Sequence, residues 1–251
     1  MRDLYLRTVQ WAVTGSLYDE FGHCRAQAAT ATEPASACAP QHWGPYNHTI
    51  RVQGNDWPAV AHTMLGHVRL VNIRQVLERV LADRVPGDFA EIGVWRGGAC
   101  IYAKAILAAH GVVDRRVHVF DTFEPMRHQY REAADYLAAS EEAVRHNFDK
   151  YGLLGDGIRF YKGRAEDVLP TFRSDHPIAV LRIDTNYYEG YMAALHHLFP
   201  LVPPGGYVIF DDILDSYHPG AMMAWTDYKN VHGLSYNLSS IDVGHAAMFR
   251  K

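Results

Sequence analysis

The apolar positions change period several times along the chain, and those changes divide it into segments. Over residues 2–22, Leu4, Leu6, Val9, Trp11, Val13, Leu17 and Tyr18 recur at roughly helical spacing, with Gly15 as a weak point. Periodicity fades over residues 26–40, which are rich in Ala and Thr and carry Pro34 and Pro40, so a loop, lid or linker is expected there. Asp56-Trp-Pro-Ala is predicted to open a long amphipathic helix, with Pro58 as its first residue and Ala82 near its end. Val85-Pro-Gly-Asp88 closes it.

Beyond Asp88 short apolar runs alternate with longer amphipathic ones. Strands are predicted at 89–92, 116–120, 157–161, 179–183 and 207–210, and helices at 99–110, 140–151, 188–199 and about 219–230. Two C-terminal strands, near 235–241 and 245–250, hinge at Gly244. Strand–helix alternation of this kind implies a mostly parallel sheet with helices on both faces, closed by an antiparallel edge. The outline is a Rossmann-like α/β fold of seven strands, and it resembles that of the class I methyltransferases. Residues 58–251 are expected to form this domain, and residues 1–57 an N-terminal helical and loop extension engaged in oligomerisation.

Composition adds limits. A chain of 251 residues can bury one substantial core. A formal net charge of -4 gives no strong pull toward nucleic acid or anionic membrane. Three cysteines without CxxC spacing argue against a zinc site and a disulfide framework. No apolar run approaches the length of a membrane span, and Met1-Arg-Asp-Leu-Tyr-Leu-Arg lacks the order of a signal peptide, so a cytoplasmic protein is expected.

Ligands of open parallel sheets collect at the carboxyl ends of the strands. There Glu91-Ile-Gly93-Val-Trp-Arg-Gly97-Gly98 follows the first strand and opens a helix. Glycine allows close approach of a ligand, and an adjacent acid can receive an ammonium group. Asp121 ends the second strand, where a carboxylate can accept ribose hydroxyls. A dinucleotide fingerprint needs a second glycine where Trp95 stands, which favours S-adenosylmethionine over a nicotinamide cofactor. A tight turn with no ligand is the plainer alternative.

Asp184 follows the fourth strand, and Asp211 and Asp212 follow the fifth. Adjacent parallel strands bring such ends within several ångströms, where carboxylates repel unless they share a cation or a proton. Oxygen donors without a His/Cys set indicate Mg²⁺ or a similar ion. A bound cation acidifies a hydroxyl as it lowers the pKa of water from about 15.7 to about 7. Helix capping or simple solvent exposure is the alternative for each acid taken singly.

Together these segments resemble the macrocin O-methyltransferase (TylF-like) family. The likeness is carried by Asp3-Leu-Tyr-Leu-Arg-Thr-Val, Leu17-Tyr-Asp-Glu20, Trp57-Pro-Ala-Val-Ala-His62-Thr63-Met64 and Gly93-Val-Trp-Arg-Gly-Gly98. Asp121-Thr-Phe-Glu124, Asn147-Phe-Asp-Lys-Tyr-Gly-Leu-Leu154, Leu181-Arg-Ile-Asp184 and Pro204-Gly-Gly-Tyr-Val-Ile-Phe-Asp-Asp212 extend it. The resemblance implies methylation of a sugar hydroxyl, on a nucleotide sugar or a natural-product glycoside, during antibiotic biosynthesis. It places the metal on Asp184, Asp211 and Asp212, with Asp184 and Asp212 as candidate catalytic groups. It places S-adenosylmethionine against Thr63, Met64, Glu91, Gly93, Gly97, Asp121, Thr122 and Asp184, with Ala165 and Glu166 at the adenine.

Two departures stand out. The family usually has Asp-x-Asp after strand four, whereas this chain reads Asp184-Thr-Asn186, and an amide is no base. Asp184, Asp212, a histidine or metal-bound water would then take the proton. Asp121-Thr-Phe-Glu-Pro-Met replaces a commoner Asp-Ser-Phe-x-Gly-Leu-Pro, and beyond Asp212 the likeness fades. A catechol O-methyltransferase and a non-catalytic S-adenosylmethionine-binding protein are the competing readings. His196 and His197 read as surface residues and Cys100 as a buried apolar group, while His62, inside the family string, reads either as a site residue or as a brace at a helix start. Trp43, Tyr46 and Trp57 suit either stacking on a sugar or packing against a second subunit.

Overall fold

The computed structural model describes residues 1–24, 44–125, 134–216 and 218–251. The stretch 26–40 and Trp43 therefore lie outside the described residues. The N-terminal part comprises helix α1 (Arg2–Val13), strand β1 (Gly22–Cys24), helix α2 (His48–Gln53), strand β2 (Asp56–Pro58) and helix α3 (Gly66–Ala82). Then follow β3 (Asp88–Ile92), α4 (Gly98–Ala109), β4 (Val117–Asp121), α5 (Ala134–Leu137), α6 (Glu141–Lys150), β5 (Ile158–Lys162) and α7 (Ala165–Val168). The chain continues through β6 (Ile178–Ile183), α8 (Tyr188–His197), β7 (Tyr207–Phe210), α9 (Pro219–Val231), β8 (Ser239–Ser240) and β9 (Ala247–Arg250).

Seven strands form one sheet in the order β5-β4-β3-β6-β7-β9-β8. The first five are parallel, and β9 runs antiparallel to both β7 and β8. Every residue of β3 and β6 is buried, as expected of central parallel strands covered on both faces. Chain order reverses between β3 and β6, so the crevice at their carboxyl ends is the place where such sheets bind ligands. Alternation splits the core into two clusters. Phe89, Val119, Val180 and Ile209 pack with residues of α1, α3, α4 and α6, while Ile92, Phe120, Leu181 and Phe210 pack with α8 and α9. Helix α4 has buried side chains nearly all round its surface because α1, α3 and the sheet enclose it.

Local chemistry explains several boundaries. Ser140 caps α6 by accepting from the Ala143 amide at 3.1 Å, and Glu141 and Glu142 sit at the positive end of that helix. Helix α1 stops well short of residue 22, because Gly15 adopts φ 69° and diverts the chain into a short 3-10 turn at Ser16–Tyr18. One sequence expectation is corrected. Pro58 does not start a helix; it pairs with Gly22 in the small β1–β2 ladder, and α3 begins eight residues later. A buried ion pair fixes this alternative, with Arg51 Nε 2.9 and 2.7 Å from the two oxygens of Asp56. The same guanidinium donates to the Thr14 and Glu20 carbonyls, tying α1, its following turn and α2 together.

Candidate active site

The register aligns the chemistry. Glu91 pairs with Arg182 across β3 and β6, one step before the strand ends, and Ile183 pairs with Phe210. The ladder runs on past both ends, since the Asp184 amide donates to the Ile92 carbonyl and the Asp211 amide to the Ile183 carbonyl. Asp184, Asp211 and Asp212 are thereby brought together, each offering an oxygen within 4.8 Å of the others. Asp211 and Asp212 are buried, while the Asp184 side chain keeps 24% of its exposure.

Two arginines that the sequence reading passed over neutralise this cluster. Arg182 is fully buried; it contacts Glu91 through Nη1, and its Nη2 lies 2.5 Å from Asp211 Oδ1 and 3.1 Å from Asp184 Oδ2. Arg69 of α3 donates from Nη1 to Asp211 Oδ2 at 2.7 Å and from Nε to Asp242 Oδ2 at 2.6 Å. Burial alone would lower the pKa of Arg182, yet the Asp211 and Glu91 carboxylates hold it well above the ordinary arginine value. Asp184 is pushed well above the usual carboxylate range by burial and then by the Asp211 charge, against the pull of Arg182. Glu91 is raised too, chiefly by burial. A lone arginine in the apolar run Ile-Ala-Val-Leu-Arg-Ile is the sequence signal that marks Arg182, because a buried charge requires a partner.

The glycine turn is built by backbone necessity. Gly93 (φ 82°) faces the Asp184 carbonyl so closely that any Cβ would overlap it, and Gly97 (φ 83°) abuts Val144. The Gly98 amide donates to the His62 carbonyl at 2.8 Å, and Thr63 lies against Gly98, so the His62-Thr63-Met64 segment borders the turn. Thr63 is buried and accepts from the Leu65 amide, whereas Met64 is half-buried. The His62 ring sits against the end of α6, away from any start of α3: its Nδ1 meets the Tyr151 hydroxyl at 2.8 Å, and burial, helped by Lys150, lowers its pKa to about 4.

Asp121 locks the turn in place. Its Oδ2 accepts from the Val94 and Trp95 amides at 2.8 and 3.1 Å and its Oδ1 from the Phe123 amide at 2.9 Å; burial raises its pKa against these bonds. Thr122 stands beside it, 3.4 Å from Oδ1. Glu91 carries both Arg182 and the Cys100 thiol, whose Sγ is 2.8 Å away, so its carboxylate is engaged inside the protein. Cys100 is an inert buried thiol, its pKa driven up by burial and by Glu91. Ala165 and Glu166 open α7 beyond β5, with Glu166 bound to Arg164. Asn186 adopts φ 60°, and its Oδ1 is buried with no hydrogen-bond partner among the described residues.

The glycine turn and the acids at adjacent strand ends are the arrangement of a class I methyltransferase, and comparison with known proteins agrees. The profile of the family described as Macrocin-O-methyltransferase (TylF) matches residues 2–251. The chain belongs to that family. It is 39% identical to the mycinamicin III 3''-O-methyltransferase of Micromonospora griseorubida, over 96% of this chain and 93% of that protein. It is 43% identical to a tetracenomycin rhamnosyl 4'-O-methyltransferase of Streptomyces olivaceus, over 76% of this chain and 77% of the relative. Among solved structures, the O-methyltransferase NovP superposes with a TM-score of 0.86 at 35% identity, covering 100% of this chain and 99% of that one. The protein is thus an O-methyltransferase with an S-adenosylmethionine-dependent class I fold. No helix among the described residues is long and apolar enough to cross a membrane.

Proposed function

We propose that this TylF-family enzyme transfers the methyl group of S-adenosylmethionine to a sugar hydroxyl, of a glycoside or nucleotide sugar, in antibiotic biosynthesis, and that it does so with a divalent cation. The observation that carries the reading is the meeting of Asp184, Asp211 and Asp212 beside the glycine turn in a chain so similar to sugar O-methyltransferases. The donor set fits Mg²⁺, being three carboxylates without nitrogen or sulfur. A carboxylate offers about four lone-pair sites, so arginine bonds and an ion can share Asp211. When bound, such an ion supplies acidification and orientation of the acceptor hydroxyl.

The chain's own residues supply the rest. Gly93 and Gly97 give the turn the backbone shape that faces the methionine part of the donor, Thr63 and Met64 border it, and the buried Glu91 supports it from behind through Arg182 and Cys100. Asp121 fixes the turn while Thr122 offers a hydroxyl to the ribose, with Ala165 and Glu166 toward the adenine. Asp184, the most exposed of the three acids, is the proposed acceptor of the hydroxyl proton, and Asp212 flanks it. The methyl passes directly from sulfur to oxygen, with no covalent enzyme intermediate. A cytoplasmic homo-oligomer is part of the same reading. Exposed Tyr18, Phe21 and Val60 support a subunit contact, the last two brought close by the bond from the Ala59 amide to the Phe21 carbonyl.

The test is methyl transfer from labelled donor to rhamnose-type glycosides and to catechol, with Mg²⁺ or with a chelator. Glycoside methylation that the chelator abolishes is expected, without catechol turnover. Asp212→Asn is expected to lower kcat by about a hundredfold or more, the scale of a lost electrostatic group, while the Kd for S-adenosylmethionine stays nearly constant. Equal loss of both would remove the metal role.

A further inference from the structure

A second constellation lies on the α9 side of Asp212, and its donors differ in kind from the three acids. After β7 the chain makes two successive tight turns, in which the Asp215 amide donates to the Asp212 carbonyl and the His218 amide to the Asp215 carbonyl, both at 3.1 Å. The β8–β9 connection closes over them, because the Leu214 amide donates to the His245 carbonyl at 2.8 Å. Asp242 holds that connection in shape by accepting from the His245 and Ala246 amides at 3.1 and 2.8 Å, and is itself anchored on Arg69.

Two imidazoles from separate loops consequently converge on one carboxylate oxygen. Asp215 Oδ2 lies 3.2 Å from His218 Nδ1 and 3.4 Å from His245 Nδ1, and His218 Nδ1 is 4.0 Å from Asp212 Oδ2. Asp212, Asp215 and His245 each offer an atom within 4.8 Å of the others. A hydrogen bond to Asp215 accounts for His218. It does not account for His245, whose Nδ1 is buried and has no hydrogen-bond partner among the described residues. Donors around an ion with bonds of about 2.0–2.2 Å stand roughly 3–4 Å apart, and the separations of 3.2, 3.4 and 4.0 Å that link His218 and His245 to Asp215 and Asp212 lie in that range. Imidazole nitrogen with carboxylate oxygen suits zinc and its neighbours, whereas three carboxylates suit magnesium.

We propose that Asp212, Asp215, His218 and His245 form a binding site for a borderline divalent cation of the zinc class, sharing Asp212 with the three-acid cluster. The site follows from donor geometry and does not depend on the identity of the methyl acceptor. The test uses untagged full-length protein in excess Mg²⁺, titrated with Zn²⁺ by calorimetry and with Co²⁺ by visible absorption, on wild type, Asp184→Asn, His218→Asn and His245→Asn. Wild type and Asp184→Asn are expected to bind one equivalent, with ligand-field bands from Co²⁺. Both histidine variants are expected to weaken it at least about tenfold, the smaller loss seen even for supporting residues of metal sites. His245 keeps a quarter of its side-chain exposure, so its variant retains the fold, which circular dichroism checks. Zn²⁺ binding unchanged in His245→Asn, binding lost in Asp184→Asn, or no binding by wild type would each overturn the proposal.

Discussion

Arg182→Met removes a guanidinium that contacts Glu91, Asp184 and Asp211 together. The side chain is 1% exposed, so water does not replace it. Breaking a buried ion pair from one side costs about 3–5 kcal/mol, because the stranded partner keeps its desolvation penalty. For a domain of this length each kcal/mol lowers Tm by roughly 2–4 °C, which gives a fall of about 6–20 °C. The loss is expected to depend on pH, and its sign is fixed. Glu91 and Asp184 already titrate above the ordinary range, mainly through burial. An acid whose pKa is higher in the fold contributes stability below its unfolded pKa of about 4 and loses that contribution as pH rises through the folded value. Without Arg182 both values climb further, so the defect widens toward about pH 8 and narrows in mild acid. Thermal unfolding at two pH values measures it, and Glu91→Gln added to Arg182→Met is expected to recover part of the stability by removing one stranded charge. A Tm within about 2 °C of wild type at both pH values would refute the assignment.

Gly93→Ala places a methyl group where the Asp184 carbonyl lies and forces an L-residue to φ 82°. The backbone conformation alone costs about 1–2 kcal/mol, and calorimetry is expected to show weakened binding of both S-adenosylmethionine and Mg²⁺, since the two elements shift together. Asp56→Ala strands the Arg51 guanidinium under the N-terminal segment. Urea unfolding is expected to show a loss of about 3–5 kcal/mol, with proteolysis beginning near residues 14–22.

The sheet was readable because its signals are local. Five apolar runs, each bounded by glycine, proline or aspartate, gave the strand sequence, and the acids at their ends followed from where parallel strands terminate. What escaped depends on partners distant in the chain. Asp56-Trp-Pro resembles a helix start by itself; its pairing with Gly22–Cys24 and its bond to Arg51 make it a strand. Arg69 lies 142 positions from Asp211 and 173 from Asp242, a separation that no periodicity reveals. His245 sits far along from Asp215 and meets it only because β9 returns beside β7. Arg182 lay between these cases, its strand evident and its partners hidden.

The fit of Gly93 against the Asp184 carbonyl welds the glycine turn to the acid end of the neighbouring strand. On the proposed function, the span between the methyl donor and the three acids is therefore set by the spacing of two adjacent strands, a length that surface loops do not adjust. On that reading, acceptor specificity can change in the loops while the reactive gap stays constant, and redesign toward a new acceptor belongs in those loops.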